Sequence, residues 1–213
     1  MTGAAGPGRP AGGRRGDGGR ARRRAVPADA SPLGLPEPPL VDRAAGIVLR
    51  PWAPTPGDIA ALVAAWRDPL LASSAGVPAE VSTPTAERWI RGEPARRAAG
   101  LCLDLVVGPL AGGDAVLGEI GLRNVDRVRR RAEMSWWTAA EHRGRGLASD
   151  AARLLAEWAL APGGCDLVQV WARTDPADRV SAAVAAAAGF VELGEADGTT
   201  VWARARRPAE PSH

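Results

Sequence analysis

The clearest pattern of apolar and polar positions lies in LASDAARLLAEWAL, residues 147–160. Apolar residues fall at 147, 151, 154, 155 and 158, with Ser149, Asp150, Arg153 and Glu157 opposite them. That 3.6-residue period predicts a helix with one buried stripe. DRVSAAVAAAAGF (178–190) predicts a second helix, closed by a glycine. Two earlier helices announce themselves by a cap followed by proline: TPGD at 55–58, leading into IAALVAAW, and STPT at 82–85, leading into AERWIRG. Short apolar or alternating runs predict strands at IVLRPW (47–52), LCLDLVV (101–107), AVLGEIGLRNV (115–125), AEMSWWT (132–138) and DLVQVWART (166–174). FVELGE and TTVWARA add a closing hairpin. The order β-α-α-β-β-β-α-β-α-β-β predicts an α/β fold with a mixed sheet.

Residues 1–40 carry no such period. They are rich in Gly, Pro and Arg and offer no core, which predicts a disordered tail; a domain at 41–207 and a frayed end at 208–213 follow. The tail holds seven arginines against Asp17, Asp29 and Glu37, a net of +4. The remaining residues hold 20 arginines against 21 acids, a net of −1. The sequence pI of about 9.9 therefore belongs to the tail, and nucleic-acid binding by the folded part is not expected. The 27 basic residues are all arginine, tyrosine is absent and Asn124 is the sole asparagine. Residues with GC-rich codons dominate, so arginine density follows codon bias. No apolar run suggests a secretory signal or a membrane span. Cys102 reads as a small core residue and Cys165 follows a Pro-Gly-Gly turn, a usage that suggests a reduced, cytoplasmic protein.

These absences exclude chemistry. Without lysine there is no Walker A loop and no Schiff base. Without tyrosine there is no phenol to act as acid or base. His142 and His213 are the only histidines, so a Cys/His zinc site is not expected. No G-x-S-x-G elbow accompanies His142. Carboxylates, serines, arginines and the backbone remain.

Between the strand ending at 138 and the helix from 147 stands EHRGRGLA. Gly144 and Gly146 permit backbone angles other residues avoid, and they block no ligand. The first amides of the helix lack an intrahelical partner, and the dipole there is positive. Such a turn suits an anion; it also suits an ordinary tight strand-to-helix connection.

RGRGLA resembles the R/Q-x-x-G-x-G/A motif of the GNAT acetyltransferases, with Arg143, Gly146 and Ala148 in the defining places. The resemblance runs from about Ile47 to Ala205 and is nearest to the RimJ/RimL-type branch. AEMSWWTAAEHRGRGLASDAARLLAEWAL is similar to that branch's AEIGYWL…P…RGRGLATEA…LL.WAF pattern. GEIGLRNVD and TDPADRVSAAVAAAAGF resemble its flanking elements. The resemblance implies a single domain whose mixed, mostly antiparallel sheet has six to seven strands flanked by four helices.

It also implies acetyl-CoA as co-substrate, direct acetyl transfer to an amine, and no metal. The segment Arg143, Gly144, Arg145, Gly146, Leu147, Ala148 and Ser149 would grip the pyrophosphate. Strand amides near Trp136, Trp137 and Thr138 would bond the pantetheine, and Asp178 and Ser181 would stand by the same arm. Asp178 replaces an asparagine usual in the family, and Ala185 stands where many members carry a tyrosine acid. Ser181 or water would serve as acid instead. For the base, Glu133 is the first candidate, on the strand beside the thioester and on one face with Ser135 and Trp137. Glu119 is the second. The acceptor, a protein N-terminus or a small amine, is not legible; the loops at 68–82 and 195–199 are expected to select it. A homodimer is compatible with the sequence. Two other readings stand beside this one: a degenerate module that binds CoA without catalysis, and a nucleic-acid-associated protein acting through the arginine tail.

Overall fold

The computed structural model describes residues 33–71 and 77–207. Most of the predicted tail, residues 72–76 of the long loop, and the C-terminal end from 208 lie outside them. The elements are β1 (Leu40–Asp42), β2 (Ile47–Pro51), α1 (Pro56–Arg67), α2 (Thr83–Ala98), β3 (Cys102–Pro109), β4 (Gly118–Asp126), β5 (Arg131–Thr138), α3 (Leu147–Leu160), β6 (Gln169–Thr174), α4 (Arg179–Ala187), β7 (Val191–Ala196) and β8 (Thr199–Ala205). They form one eight-stranded sheet in the order β1-β2-β3-β4-β5-β6-β8-β7. β5 and β6 are parallel, and the other neighbours are antiparallel. Among the described residues no helix is long and apolar enough to cross a membrane.

The caps read from sequence form as expected. Thr55 accepts from the Asp58 amide at 3.2 Å and Ser82 from the Thr85 amide at 3.4 Å, satisfying donors that a helix start leaves unpaired. α2 continues past its expected end, through Gly92 and Pro94 to Ala98. Ile90 and Glu93, 2% and 3% exposed, seat it on the sheet, which outweighs the hydrogen bond Pro94 cannot make.

The strand count needs correction. The sheet has one strand more than expected, because the three residues of β1 are too few to show a period. β1 exists through pairing with β2, Leu40 opposite Leu49, and through Asp42, which accepts from the Ala44 and Ala45 amides and from Arg153 of α3. The packed chain also begins before residue 41. Leu33 is 1% exposed within the core, and its amide donates to the Arg97 carbonyl at 3.0 Å. Composition suggested a tail here, but the long-range contact orders the segment.

Strand alternation divides the interior in two. Leu103, Leu105, Val107, Ile120, Leu122, Ala132 and Met134 face α3 and α4. α3 contributes Ala151, Ala152, Leu155, Ala156 and Ala159. This stripe is turned slightly from the expected 147, 151, 154, 155 and 158, of which Leu147, Leu154 and Trp158 are half-buried, because its alanines allow close approach. The other face carries Val106, Trp52 and Val116 against Ile59, Leu62, Trp66 and Ile90 of α1 and α2. Glu119, Gly121, Glu133, Ser135 and Trp137 alternate onto this second face, where the candidate chemistry lies.

Candidate active site

β5 and β6 pair over three residues only, Arg131 opposite Gln169 through Glu133 opposite Trp171. Beyond that point β5 stays with β4 to Thr138, and β6 stays with β8 to Thr174. The two strands thus part, leaving the β5 edge from Met134 to Thr138 without a neighbour on that side. An unpaired edge presents backbone donors and acceptors, and Trp136, Trp137 and Thr138 lie on it.

The end of β5 leads to the glycine turn. Gly144 and Gly146 have φ of +75° and +77°, a left-handed conformation that costs other residues about 1–2 kcal/mol. Gly146 is the N-cap of α3 and no side chain caps that end. The amides of Leu147, Ala148 and Ser149 therefore have no helical acceptor, and the helical ladder opens with Asp150 donating to Gly146 at 3.1 Å. A methyl at Gly144 would meet nothing within 4 Å, and one at Gly146 only Asp150, at 3.9 Å. The space above the turn is free, and the donor set fits a pyrophosphate.

The arginines of the turn do other work. Arg143 donates to the Thr138 carbonyl at 3.2 Å and to the Asp68 carboxylate. Arg145 donates to the Glu141 carbonyl at 3.2 Å. The Leu70 amide, followed by Arg143, holds Asp68 below the usual carboxylate range. A pocket beside this strut is lined by Ala61, Ala64, Ala65, Asp68 and Leu71 from α1 and its exit, by Val116 and Trp137, and by Ala139, Ala140 and Glu141.

The two candidate bases occupy different surroundings. Glu119 stands opposite Trp137 in the β4–β5 register. Its carboxylate accepts from the Trp52 indole at 2.8 Å and the Trp137 indole at 3.2 Å. Burial, then the nearby Asp104 charge, pushes its pKa up to about 8, against the lowering effect of the two indoles. Solvent still reaches part of the residue. Glu133 lies four residues back along β5, about 13 Å from Trp137, where β5 and β6 are still paired. It is 6% exposed and bound by Arg123 at 3.3 Å and Asn124 at 2.5 Å. A bulge in β4 between Arg123 and Asp126 and a φ of +49° at Asn124 accompany that contact.

Across the split, Asp178 is exposed and caps α4, its Oδ1 accepting from the Ser181 amide at 2.9 Å. That role needs an acceptor only, which aspartate supplies as well as asparagine. Ser181 is half-buried. Ala185 is fully buried against α3, so a side chain at this position enters the core rather than the split. Sequence reading misses Trp52, Asp68, Asp104 and Arg96. Trp52 lies 67 residues from the carboxylate it serves, beyond any local signal. Gly121 is the one hint: a methyl there would stand 2.9 Å from Asp104 Oδ1.

Comparison with known proteins identifies the fold and the family. The provisionally named ribosomal N-acetyltransferase YdaF of Bacillus subtilis (strain 168) is 35% identical over 82 residues, 38% of this chain and 44% of that protein. The chain thus matches less than half the length of this curated relative. RimJ of Mycobacterium smegmatis, solved with CoA-disulfide, has a similar fold, with a TM-score of 0.64 at 21% identity over 83% of this chain and 88% of that one. The microcin C7 self-immunity acetyltransferase MccE, solved with acetyl-CoA and AMP, superposes with a TM-score of 0.63 at 17% identity over 75% and 92%. The acetyltransferase (GNAT) domain profile matches residues 47–191, from β2 through the split, the glycine turn and α4, and the chain belongs to that family.

Proposed function

We propose that this protein is an N-acetyltransferase that moves the acetyl group of acetyl-CoA directly to a primary amine, with Glu119 as the base. One observation carries the reading. A carboxylate held by two indoles stands opposite Trp137, on the open edge of a strand that feeds an uncapped helix start. In this reading the amides of 147–149 hold the pyrophosphate and the β5 edge holds the pantetheine. Acetyl-CoA supplies an acyl group already activated as a thioester.

The amine arrives as an ammonium ion and must lose a proton before it attacks. Glu119, titrating near 8, is a stronger base than an ordinary carboxylate and is matched to that task at neutral to mildly alkaline pH. A β5 amide near Trp137 polarises the acetyl carbonyl. The departing thiolate has the pKa of an ordinary thiol and needs little help, so Ser181 or water suffices as acid. The ion pair of Glu133 with Arg123 favours a structural role, which moves the base from the first candidate to the second. The pocket beside Trp137 is walled largely by alanines, which supports an acceptor that presents its amine on a compact body, such as a protein N-terminus or a small amine.

Isothermal titration with acetyl-CoA and thiol release over an amine panel test the proposal. Glu119→Gln should lower kcat by about 100-fold or more, the usual share of a general base, while acetyl-CoA binding persists. Glu133→Gln should keep kcat. Absence of acetyl-CoA binding would sink the proposal, and an unimpaired Glu119→Gln enzyme would remove Glu119 from it.

A further inference from the structure

A buried polar cluster lies under α2, beside Glu119. In the β3–β4 register Val106 stands opposite Glu119, and Asp104 opposite Gly121. Asp104 and Glu119 are therefore diagonal neighbours on one face, about 7–8 Å apart. Gly121 lies under Asp104: a methyl there would stand 2.9 Å from its Oδ1 and 3.1 Å from the Leu103 carbonyl oxygen. From above, Arg96 of α2 lies 3.6 Å from Asp104. It donates to the Trp89 carbonyl at 2.9 Å and stacks 4.4 Å over the Trp89 ring. Gly92 leaves space for that guanidinium, with a methyl there 3.0 Å from Nη1. Trp89 meets Trp52 edge-on at 6.1 Å, and Trp52 is a donor to Glu119.

Two glycines inside regular elements each cost about 0.5–1 kcal/mol relative to alanine, and here both lie against a charged pair. A well-packed aliphatic pair would serve stability as well or better. The remaining titratable and charged groups of this face are Cys102, which donates to Asp104 at 3.2 Å, Glu93 paired with Arg97 on α2, and Glu133 paired with Arg123. α1 brings Asp58, already bound by Arg50, and its exit brings Asp68, bound by Arg143. Asp104 is thus the carboxyl placed to act on Glu119; burial raises its own pKa against the lowering effects of Cys102, Arg96 and Arg123, and the Arg96 charge opposes its effect on Glu119.

We propose that Asp104, held by Arg96, is a positioning residue whose negative charge, fixed diagonally across the β3–β4 pair, makes Glu119 a stronger base. A like charge disfavours ionisation of its neighbour. The inference rests on the reading of Glu119 as base, but it has a readout of its own. Trp52 and Trp137 donate to Glu119, so their indole ¹H–¹⁵N signals report its ionisation without catalysis.

The experiment follows both signals from about pH 5.5 to 9.5 in the full chain and in Asp104→Asn, Asp104→Ser and Glu119→Gln. In the wild type both should titrate together, and Glu119→Gln should abolish that step. In each folded Asp104 variant the midpoint should fall by about one pH unit or more, with the rising limb of kcat/KM moving the same way and KM for acetyl-CoA unchanged. An unmoved midpoint in both Asp104 variants would overturn the proposal, as would absence of titration in the wild type. Full activity in Glu119→Gln would overturn the base assignment alone, since the midpoint shift is still measured.

Discussion

Arg143 commits its guanidinium to Asp68, the C-cap residue of α1, 75 positions earlier in the chain. The first arginine of the glycine turn is thereby a strut between the proposed pyrophosphate site and the wall of the neighbouring pocket. A part-buried ion pair of this kind contributes about 1 kcal/mol, equivalent to about fivefold in affinity. Asp68→Asn and Arg143→Ala should each weaken acetyl-CoA binding by up to that factor, and the double variant should be no worse than either. Titration calorimetry on the wild type and the three variants closes that cycle.

Gly146 carries the larger burden. Its φ of +77° makes alanine unfavourable by about 1–2 kcal/mol. Gly146→Ala should lower Tm by about 2–8 °C and reduce acetyl-CoA affinity more than tenfold, because relief of that strain turns the helix-start amides. Thermal unfolding and calorimetry separate the two effects. Unchanged affinity at lowered Tm would leave the turn a structural device only.

Glu119 makes stability and activity respond to pH in opposite directions. Its folded pKa, about 8, lies above that of a free glutamate, so the folded state holds the proton more tightly. The resulting stability is complete below about pH 4 and is lost as pH rises through 8. Wild-type Tm should decline across that window more steeply than that of Glu119→Gln. The activity of the ionised base should meanwhile rise toward pH 8 and level off above it.

Trp52→Phe should move that rising limb upward. The indole of Trp52 donates to the carboxylate and lowers its pKa. A hydrogen bond to a charged acceptor contributes about 1.5–3 kcal/mol, so its loss shifts the limb by about one to two pH units. A pH profile of kcat/KM measures it, and a downward shift would contradict the assigned role of the indole.

Much of the architecture is written locally. Thr55-Pro56 and Ser82-Thr83-Pro84 cap their helices, the 3.6-residue period of 147–160 gives α3, and the alternation in LCLDLVV gives β3. Each of these signals acts within a few residues, the range over which capping and amphipathic periodicity operate. β1 and the order at Leu33 escape the same reading: three residues are too few to show a period, and the contacts that fix them come from far along the chain, Arg153 for the strand and Arg97 for Leu33.

The candidate site divides along the same line. By itself the sequence determines the glycine turn, the strand before it and the helix after it, since left-handed backbone and an unpaired helix start are local properties. It also places both glutamates on strands. Only the tertiary structure decides between their surroundings. Burial and charge at a carboxylate depend on what neighbouring strands and helices bring to it. Here they bring Trp52, Trp137 and Asp104 to Glu119, and Arg123 and Asn124 to Glu133.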